Sequence, residues 1–343
     1  MNEPYFWRVT DRKSRYSAPM LRVLLTPLAL GYSLAGKRRL QRAIPQDAGL
    51  PVICVGNLTL GGAGKTPVSA DLRRRLAARG LRAATLSRGY RGELLGPVKV
   101  EPSTHSVKQV GDEPMMLASS GEAWIAKDRL AGALAMRAAG VQAVVMDDGH
   151  QNPVLRKSLS LVVIDAAEPF GNGFVFPKGP LREPLKRGLS RADAVVLMGD
   201  GEIPAALAGF GRPILRAKLA PLAPPTPGRY VAFAGIGKPD RFFDSLTAHE
   251  GVELSEAVPY PDHHPFDDSD IRYLMKLASE RNAKLITTDK DHVRLTVEMR
   301  RITQRASVEA RFQDSATLDG LLDRALESAS RPSASPPSAS RLR

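Results

Sequence analysis

The stretch that decides the fold runs Val52-Ile53-Cys54-Val55-Gly56-Asn57-Leu58-Thr59-Leu60-Gly61-Gly62-Ala63-Gly64-Lys65-Thr66-Pro67. Residues 51–56 are apolar without alternation, which is typical of a strand buried on both faces of a parallel sheet. Residues 67–79 are rich in Ala, Leu and Arg and have a helical period. Because a Gly-Gly-Ala-Gly-Lys-Thr loop lies between this strand and this helix, the sequence predicts a phosphate-binding loop.

The residue types of this loop suit the phosphates of ATP. Glycines allow backbone N–H groups to point at phosphate oxygens, and the helix that follows adds the positive end of its dipole. We expect Lys65 to reach the β- and γ-phosphates and the Thr66 hydroxyl to bind Mg²⁺. The predicted ATP-binding residues are Thr59, Leu60, Gly61, Gly62, Ala63, Gly64, Lys65 and Thr66. Thr59 stands where the usual pattern has glycine, so a glycine-rich turn with an incidental lysine is the alternative.

Apolar runs that alternate with helical stretches extend this unit along the chain. The further strand candidates of the first unit are residues 83–86, 141–146, 161–164 and 194–197. With a second helix predicted over 128–139, this rhythm indicates an α/β fold of the P-loop NTPase type, a mostly parallel sheet with helices on both faces. Strands at 230–234 and 284–287 and a helix over 268–281 predict a smaller C-terminal α/β domain.

Composition divides the chain into five segments. Residues 219–228 are proline-rich and predict an extended linker between the two units. Ser, Pro and Ala dominate the last residues and predict a disordered tail. The predicted order is a basic and apolar N-terminal segment (1–42), the P-loop core (43–218), the linker (219–228), the smaller C-terminal domain (229–327) and the tail (328–343).

Positive charge is concentrated at the N-terminus. The chain of 343 residues has a formal net charge of +13, and residues 1–42 hold nine basic and two acidic residues around the apolar run 23–30. This pattern suits an anionic membrane face, and we predict a membrane-associated helix that lies in the cytoplasmic interface. A spanning helix and a helix packed on its own protein are the alternatives, whereas Lys37-Arg38-Arg39 disfavours an export signal. One cysteine, Cys54, excludes a disulfide framework and a cysteine-rich zinc site.

Two adjacent carboxylates, Asp147 and Asp148, follow a buried strand. Because the carboxyl ends of parallel strands meet at one edge of a sheet, we expect them to face Thr66 and to hold Mg²⁺. The alternative for one of the two is to cap the next turn. The neighbouring His150 and Gln151 are candidates to reach the same phosphates.

Two further motifs offer a base for the proton of an acceptor hydroxyl. Asp112 and Glu113 lie in Gly111-Asp112-Glu113-Pro114, although these residues also suit an ordinary helix start with Asp112 as its cap. In Asp262-His263-His264, a histidine bonded to an aspartate would be held in place and its basicity changed. A purely structural histidine is the alternative.

Taken together, these motifs resemble the tetraacyldisaccharide 4'-kinase family of lipid A biosynthesis, from about Pro51 to Leu295. The matching segments are Val55–Thr59, Lys65–Pro67, Leu86–Tyr90, Gly111–Pro114, Lys127–Arg129, Asp147–Gln151, Pro177–Pro184, Gly235–Pro239, Arg241–Phe243, Asp262–His264 and Thr287–Asp291. The ordered set is highly specific, and Thr59 and Pro67 are themselves features of this family. His150, Asp289 and His292 depart from the family pattern.

The resemblance implies an ATP- and Mg²⁺-dependent kinase. Its acceptor would be the 4'-hydroxyl of a tetraacylated glucosamine disaccharide 1-phosphate, and its product lipid IVA. The implied catalytic residues are Lys65, Asp112 as the base and His263 as its partner, with Asp147, Asp148 and Thr66 at the metal. Further active-site positions are implied for Tyr90, Glu113, Gln151, Arg182 and Glu183.

The resemblance also implies a location and partners. The expected location is the cytoplasmic face of the bacterial inner membrane, with the lipid substrate and the membrane surface as partners. Neither nucleic acid nor an obligate protein partner is expected. The second domain would close over ATP and bring His263 to the site.

Two other functions compete with this interpretation. A P-loop GTPase or ATPase switch at the membrane would need a base-recognition motif of the Asn-Lys-x-Asp type, and Thr288-Asp289-Lys290-Asp291 has Thr in place of Asn. A nucleic-acid-binding ATPase would suit the basic charge, but aromatic residues for base stacking are few, at 6% of the chain.

Overall fold

The structure is a computed structural model that describes residues 4–11 and 14–330. Its strands are β1 (Val52–Gly56), β2 (Ala83–Ser87), β3 (Val98–Lys99), β4 (Ala123–Ile125), β5 (Ala143–Asp147), β6 (Leu159–Asp165), β7 (Ala194–Met198), β8 (Ile214–Pro221), β9 (Gly228–Ala234), β10 (Val252–Pro259), β11 (Lys284–Thr288), β12 (Thr303–Ala306) and β13 (Val308–Phe312). Its helices are α1 (Pro19–Leu24), α2 (Thr26–Arg42), α3 (Lys65–Ala78), α4 (Val107–Val110), α5 (Asp112–Ala118), α6 (Arg129–Ala138), α7 (Leu185–Ser190), α8 (Pro239–Thr247), α9 (Asp268–Glu280), α10 (Asp289–His292), α11 (Val297–Ile302) and α12 (Ser315–Ser330). The strands and helices predicted from the sequence are all present, with ends shifted by one or two residues.

A large sheet forms the first lobe, with nine strands in the order β13-β8-β7-β6-β1-β5-β2-β4-β3. β1 is buried along its whole length and pairs in parallel with β5 and β6. Apolar side chains of the central strands pack against α3 and α12 on one face and α6 on the other. The predicted P-loop NTPase-type fold is therefore confirmed, and the ends of β1 and β5 open at the same edge.

A small sheet forms the second lobe, with four parallel strands in the order β10-β9-β11-β12. α8 packs Phe243 and Leu246 on one face, and α9 packs Leu274 and Leu277 on the other. The carboxyl ends of β9, β10 and β11 lead into three polar segments, which include the Asp-His-His loop and α10. Two separate sheets therefore each present a carboxyl edge.

The chain crosses between the lobes twice, and this corrects the predicted domain limits. β8 extends to Pro221 and β9 begins at Gly228, so the connection is shorter than predicted. The prediction that 229–327 is one domain is wrong from Val308 onward, because β13 pairs antiparallel with β8 in the large sheet. α12 then buries Leu318 and Leu322 against the core of that sheet.

The end of the chain differs from the prediction as well. The predicted tail, residues 328–343, begins too early, because α12 continues through Ser330. The remaining residues, 331–343, lie outside the described part of the chain.

The N-terminal segment forms two short helices, α1 and α2, that lie against the first lobe. Within the described residues no single helix is long and apolar enough to cross a bilayer, but Arg15–Leu24 and Thr26–Arg42, bent by 66°, meet that criterion as a pair. Trp7 is buried, and its indole Nε1 donates to the Pro177 carbonyl at 3.0 Å. Most large apolar side chains of α1 and α2 face outward.

Candidate active site

The glycine-rich loop after β1 is held open by a neighbouring segment of the first lobe. Gly64 has a φ of +83°, a conformation that favours glycine, and it sets the start of α3. The Leu60 N–H donates to the Pro180 carbonyl at 2.8 Å, and Arg182 Nε donates to the Thr59 carbonyl at 3.0 Å. These contacts define the shape of the loop, and the positive end of α3 lies behind it.

Asp147, the last residue of β5, lies beside the first turn of α3. Its carboxylate accepts hydrogen bonds from the Thr66 hydroxyl at 3.4 Å and the Ser69 hydroxyl at 2.8 Å. Burial, followed by the nearby charge of Glu113, raises the pKa of Asp147 to about 7. A carboxylate in this position gains from a cation that offsets its buried charge.

Asp148 has the opposite electrostatic environment, although it is the next residue. Arg182 donates to both of its carboxylate oxygens at 3.0 Å, and Lys65 Nζ lies 3.7 Å from Oδ1. Burial opposes ionisation here too, but Lys65 and Arg182 outweigh it and hold the pKa of Asp148 below its ordinary value. Asp148 is therefore ionised at neutral pH.

These groups fit the requirements of Mg²⁺. The Thr66 hydroxyl and the oxygens of Asp147 and Asp148 are hard ligands, and magnesium commonly takes one or two carboxylates with phosphate and water completing its shell. Among the described residues, no group of three or more His, Cys, Asp or Glu side chains could hold a metal ion alone. The donor set fits a metal carried to the site with a nucleotide.

Across the cleft, Asp112 and His263 form a close pair between the lobes. His263 Nδ1 lies 2.7 Å from Asp112 Oδ2, and the Arg294 guanidinium contacts the same oxygen. Asp112 is only 5% exposed, and its Oδ1 accepts the Glu113 N–H at 2.9 Å. Burial opposes its charge, but His263, Lys290 and Arg294 together hold the pKa of Asp112 well below its usual range.

Both ring nitrogens of His263 have charged neighbours. Nδ1 faces Asp112, with Arg294 Nη2 at 3.4 Å. Nε2 lies 3.2 Å from Lys290 Nζ and 3.5 Å from Asp262 Oδ2. Lys290 is itself paired with Asp262 at 3.0 Å, which fixes it beside the ring.

A cleft of about 1870 Å³ lies between the lobes and joins these two groups. The glycine-rich loop, Lys65 and Asp148 line one wall, and His263 and Lys290 line the other. Tyr90 is 60% exposed in the cleft, and its ring meets that of His263 edge-on. The predicted residues Glu113, Gln151 and Arg182 also line the cleft.

Other predicted positions have structural partners. Glu183 is buried and paired with Arg191 at 2.6 Å, and it accepts the Gln151 amide at 3.2 Å. Its carboxylate therefore supports Gln151 from behind. The Gln151 amide also donates to the Asn57 carbonyl at 3.0 Å, at the base of the loop.

The two histidines that depart from the family pattern, His150 and His292, do not line the cleft. His150 is fully buried between Ser160 and the Gly188 carbonyl, and burial lowers its pKa to about 4. The prediction that His150 could reach the phosphates is therefore wrong. His292 lies 3.4 Å from the Arg300 carbonyl, within the second lobe.

Sequence reasoning missed three site residues: Ser69, Lys290 and Arg294. Lys290 lies in the Thr-Thr-Asp-Lys-Asp segment and Arg294 three residues beyond it, so their proximity in the chain to a quoted motif was the available signal. Nothing in the sequence places that segment beside Asp112, which is 182 residues away from Arg294.

The chain is similar to known proteins over most of its length. Residues 21–327 match the LpxK family, described as tetraacyldisaccharide-1-P 4'-kinase. A tetraacyldisaccharide 4'-kinase of Hyphomonas neptunium is 53% identical over 97% of this chain and 100% of its own length. The corresponding protein of Maricaulis maris is 50% identical over 94% of this chain and 96% of its own length.

A solved structure shows the same overall architecture. The "apo" form of LpxK from Aquifex aeolicus, crystallised in complex with ATP, superimposes with a TM-score of 0.72 and 25% sequence identity. The match covers 89% of this chain and 99% of the other.

Proposed function

The chain belongs to the tetraacyldisaccharide 4'-kinase family, and on that premise we propose that it transfers the γ-phosphate of ATP to the 4'-hydroxyl of a tetraacylated glucosamine disaccharide 1-phosphate. The product is the 1,4'-bis-phosphorylated lipid A precursor, lipid IVA. The observation that carries this function is one cleft with a phosphate loop on one wall and, on the other, His263 hydrogen-bonded to the buried Asp112. A GTPase switch is not favoured, since it would leave the pair without a role.

One wall of the cleft would hold the nucleotide. The loop from Thr59 to Gly64 offers backbone N–H groups to phosphate oxygens, and Lys65 places a positive charge where phosphoryl charge develops. Thr66, Asp147 and Asp148 would hold Mg²⁺, which would supply positive charge against the phosphates. Arg182 keeps Asp148 in position through its two hydrogen bonds.

The other wall would handle the proton of the acceptor hydroxyl. We assign Asp112 as the base, with His263 as its partner, because the two side chains share a 2.7 Å hydrogen bond. His263 also borders the cleft, so the pair is in contact with the space that the sugar would occupy. Tyr90 and Glu113 line the approach to this pair.

The N-terminal helices would bring the enzyme to its lipid. Eight large hydrophobic side chains of α1 and α2 are exposed: Met20, Leu21, Val23, Leu24, Leu28, Leu30, Tyr32 and Leu34. Arg187 donates to the Ser33 carbonyl at 3.0 Å, and Lys178 to the Thr26 hydroxyl at 3.0 Å. Both partners flank Arg182 in sequence, so a membrane-bound face would lie near the loop. We propose peripheral association with the cytoplasmic face of the inner membrane.

A direct assay tests the function. Purified full-length protein is incubated with Mg²⁺, γ-labelled ATP and the acylated disaccharide 1-phosphate, and the lipid product is separated by chromatography. We expect label in a lipid with one added phosphate, and no transfer by Lys65→Ala. Label released only as inorganic phosphate would contradict a kinase, and transfer from GTP in preference to ATP would support the switch-type alternative.

A binding assay tests the membrane assignment separately. We expect co-sedimentation with liposomes that contain anionic phospholipid, in excess of retention on double-stranded DNA at the same ionic strength. Stronger retention on DNA would contradict the proposed partner.

A further inference from the structure

Arg294 joins the two lobes at the Asp112–His263 pair. We propose that Arg294 is a positioning residue for phosphoryl transfer, which holds the Asp112 carboxylate ionised and aligned with His263. This inference rests on the proposed function, because it gives Arg294 a role through the base assigned there. No motif in the sequence assigns a role to this arginine.

The two terminal nitrogens of the Arg294 guanidinium contact groups of different lobes. Its Nη2 contacts Asp112 Oδ2, while its Nη1 donates to Asp291 Oδ1 at 2.7 Å and to the Gly235 carbonyl at 3.0 Å. The side chain is only 6% exposed. A planar guanidinium with donors fixed in two directions orients a carboxylate more strictly than an ammonium group can.

Asp291, which binds Arg294, is itself held by hydrogen bonds within the second lobe. Asp291 is fully buried, and its Oδ2 accepts the Gly235 N–H at 3.0 Å and the Thr288 hydroxyl at 2.7 Å. All of these partners belong to the second lobe, whereas Asp112 begins α5 of the first. Arg294 therefore transmits the position of the second lobe to the carboxylate.

The charges around Asp112 indicate what Arg294 contributes. The titratable or charged groups that face it are Glu113 on its own helix, Asp262 and His263 from the loop after β10, and Lys290, Asp291 and Arg294 from the α10 region. Lys290 is turned toward Asp262 and the far side of the histidine ring. Among the described residues, Arg294 is the cation in direct contact with the Asp112 carboxylate.

This contact also leaves one oxygen of the base available. His263 and Arg294 both bind Oδ2, which restricts rotation of the carboxylate, while Oδ1 accepts the Glu113 N–H. Without Arg294, burial would favour the protonated acid, and rotation of the carboxyl group would be less restricted. Fewer molecules would then have a competent pair at a given pH.

The test compares Arg294→Gln with Arg294→Lys in the full-length enzyme, with Arg281→Gln as a matched surface control. We expect Arg294→Gln to lower kcat by about 10- to 100-fold and to move the acidic limb of the kcat–pH profile upward by about one pH unit. KM for ATP should stay within about twofold of the parent. Arg294→Lys keeps the charge but not the fork, so it should retain the parent pH profile and recover only part of kcat.

A double-mutant cycle with Asp112→Asn separates positioning from general destabilisation. If Arg294 acts through Asp112, Arg294→Gln should slow the Asp112→Asn enzyme by less than about twofold. A full 10-fold or greater loss in that background, or an unmoved acidic limb, overturns the proposal. Full activity of Asp112→Asn alone would instead overturn the assignment of the base, and so the two failures are distinguishable.

Thermal melting decides whether a variant is simply unfolded. If Arg294→Gln does not melt cooperatively, the lysine variant carries the test, because it retains the charge. An Arg294→Lys enzyme that melts like the parent but shows a shifted acidic limb and a 100-fold loss would contradict the proposed role of the charge.

Discussion

The two walls of the cleft are built in different ways. The wall of the large sheet comes largely from one strand–loop–helix unit, with Lys65 and Thr66 at the start of α3 and Asp147 on the neighbouring strand. The wall at the Asp112–His263 pair combines three distant segments from both lobes. Phosphate binding needs mainly local backbone geometry, whereas proton transfer needs side chains that only the packed lobes bring together.

The same contrast occurs between neighbouring residues. Asp147 and Asp148 are adjacent in sequence, yet burial raises the pKa of one, and Lys65 and Arg182 lower the pKa of the other against burial. The backbone turns at Asp148, whose φ is +51°, so its carboxylate points to a different set of neighbours. Adjacent carboxylates can therefore take separate roles.

The largest expected loss of activity follows substitution of Lys65, on the wall with the phosphate loop. Lys65→Ala should abolish turnover, with kcat lowered by at least about 10³-fold, because no other group replaces its charge at the transferring phosphoryl. The measurement is transfer of labelled phosphate to lipid, with the exposed Lys276→Ala as control. Residual activity near the parent level would mean that the loop does not bind the reacting phosphates.

Substitution of Asp112, beside the opposite wall, should lower kcat by less and should not affect nucleotide binding. Asp112→Asn should reduce kcat by about 10²–10⁴-fold and leave ATP affinity nearly intact, since the base acts on the acceptor hydroxyl. Steady-state kinetics with a separate ATP-binding titration measures both quantities. Loss of ATP binding in this variant would show that Asp112 is structural, and the contrast between the walls would fail.

Substitutions on α1 and α2 should weaken membrane binding without affecting the residues of either cleft wall. Replacement of the exposed Met20, Val23 and Leu24 by serine should reduce retention on anionic liposomes several-fold, because each loses buried apolar area in the interface. Turnover of detergent-dispersed substrate should remain within about twofold. Unchanged retention would contradict an interfacial role for these helices.

The smallest effect concerns the stability of the metal-free protein. Because the pKa of Asp147 is raised to about 7, the stabilisation from its protonation is present at low pH and is lost as pH rises through 7. Asp147→Asn, which cannot ionise, should therefore raise the melting temperature by roughly a few degrees at pH 8 and by a smaller amount at pH 5, because pH 5 already lies above the ordinary carboxyl pKa of 3.8.

The neighbouring substitution should act in the opposite direction. The pKa of Asp148 is lowered, so the stability that its charge provides is present at both pH values and is lost only in stronger acid. Asp148→Asn should lower the melting temperature at pH 5 and pH 8 alike. Scanning fluorimetry with a chelator measures both variants, and equal shifts for the two would contradict their different environments.

Much of the first lobe could be predicted from sequence, because its strands are short apolar runs and its phosphate loop is a contiguous motif. The limits of the second lobe could not be predicted from the sequence. β13 and α12 follow the small sheet directly in the chain but complete the large one, and local composition carries no information on which of two cores an amphipathic helix will cover. His150 is a similar case, since a histidine beside a metal motif can equally face the interior.

The sequence by itself determined the phosphate loop, the carboxylates beside it and the family, because these depend on residue type and spacing over a few positions. Only the tertiary structure decided that Arg294 and Lys290 contact His263, that Arg182 binds Asp148, and that Glu183 supports Gln151. These relations depend on burial and on contacts between residues far apart in the chain, and both arise only once the lobes have packed.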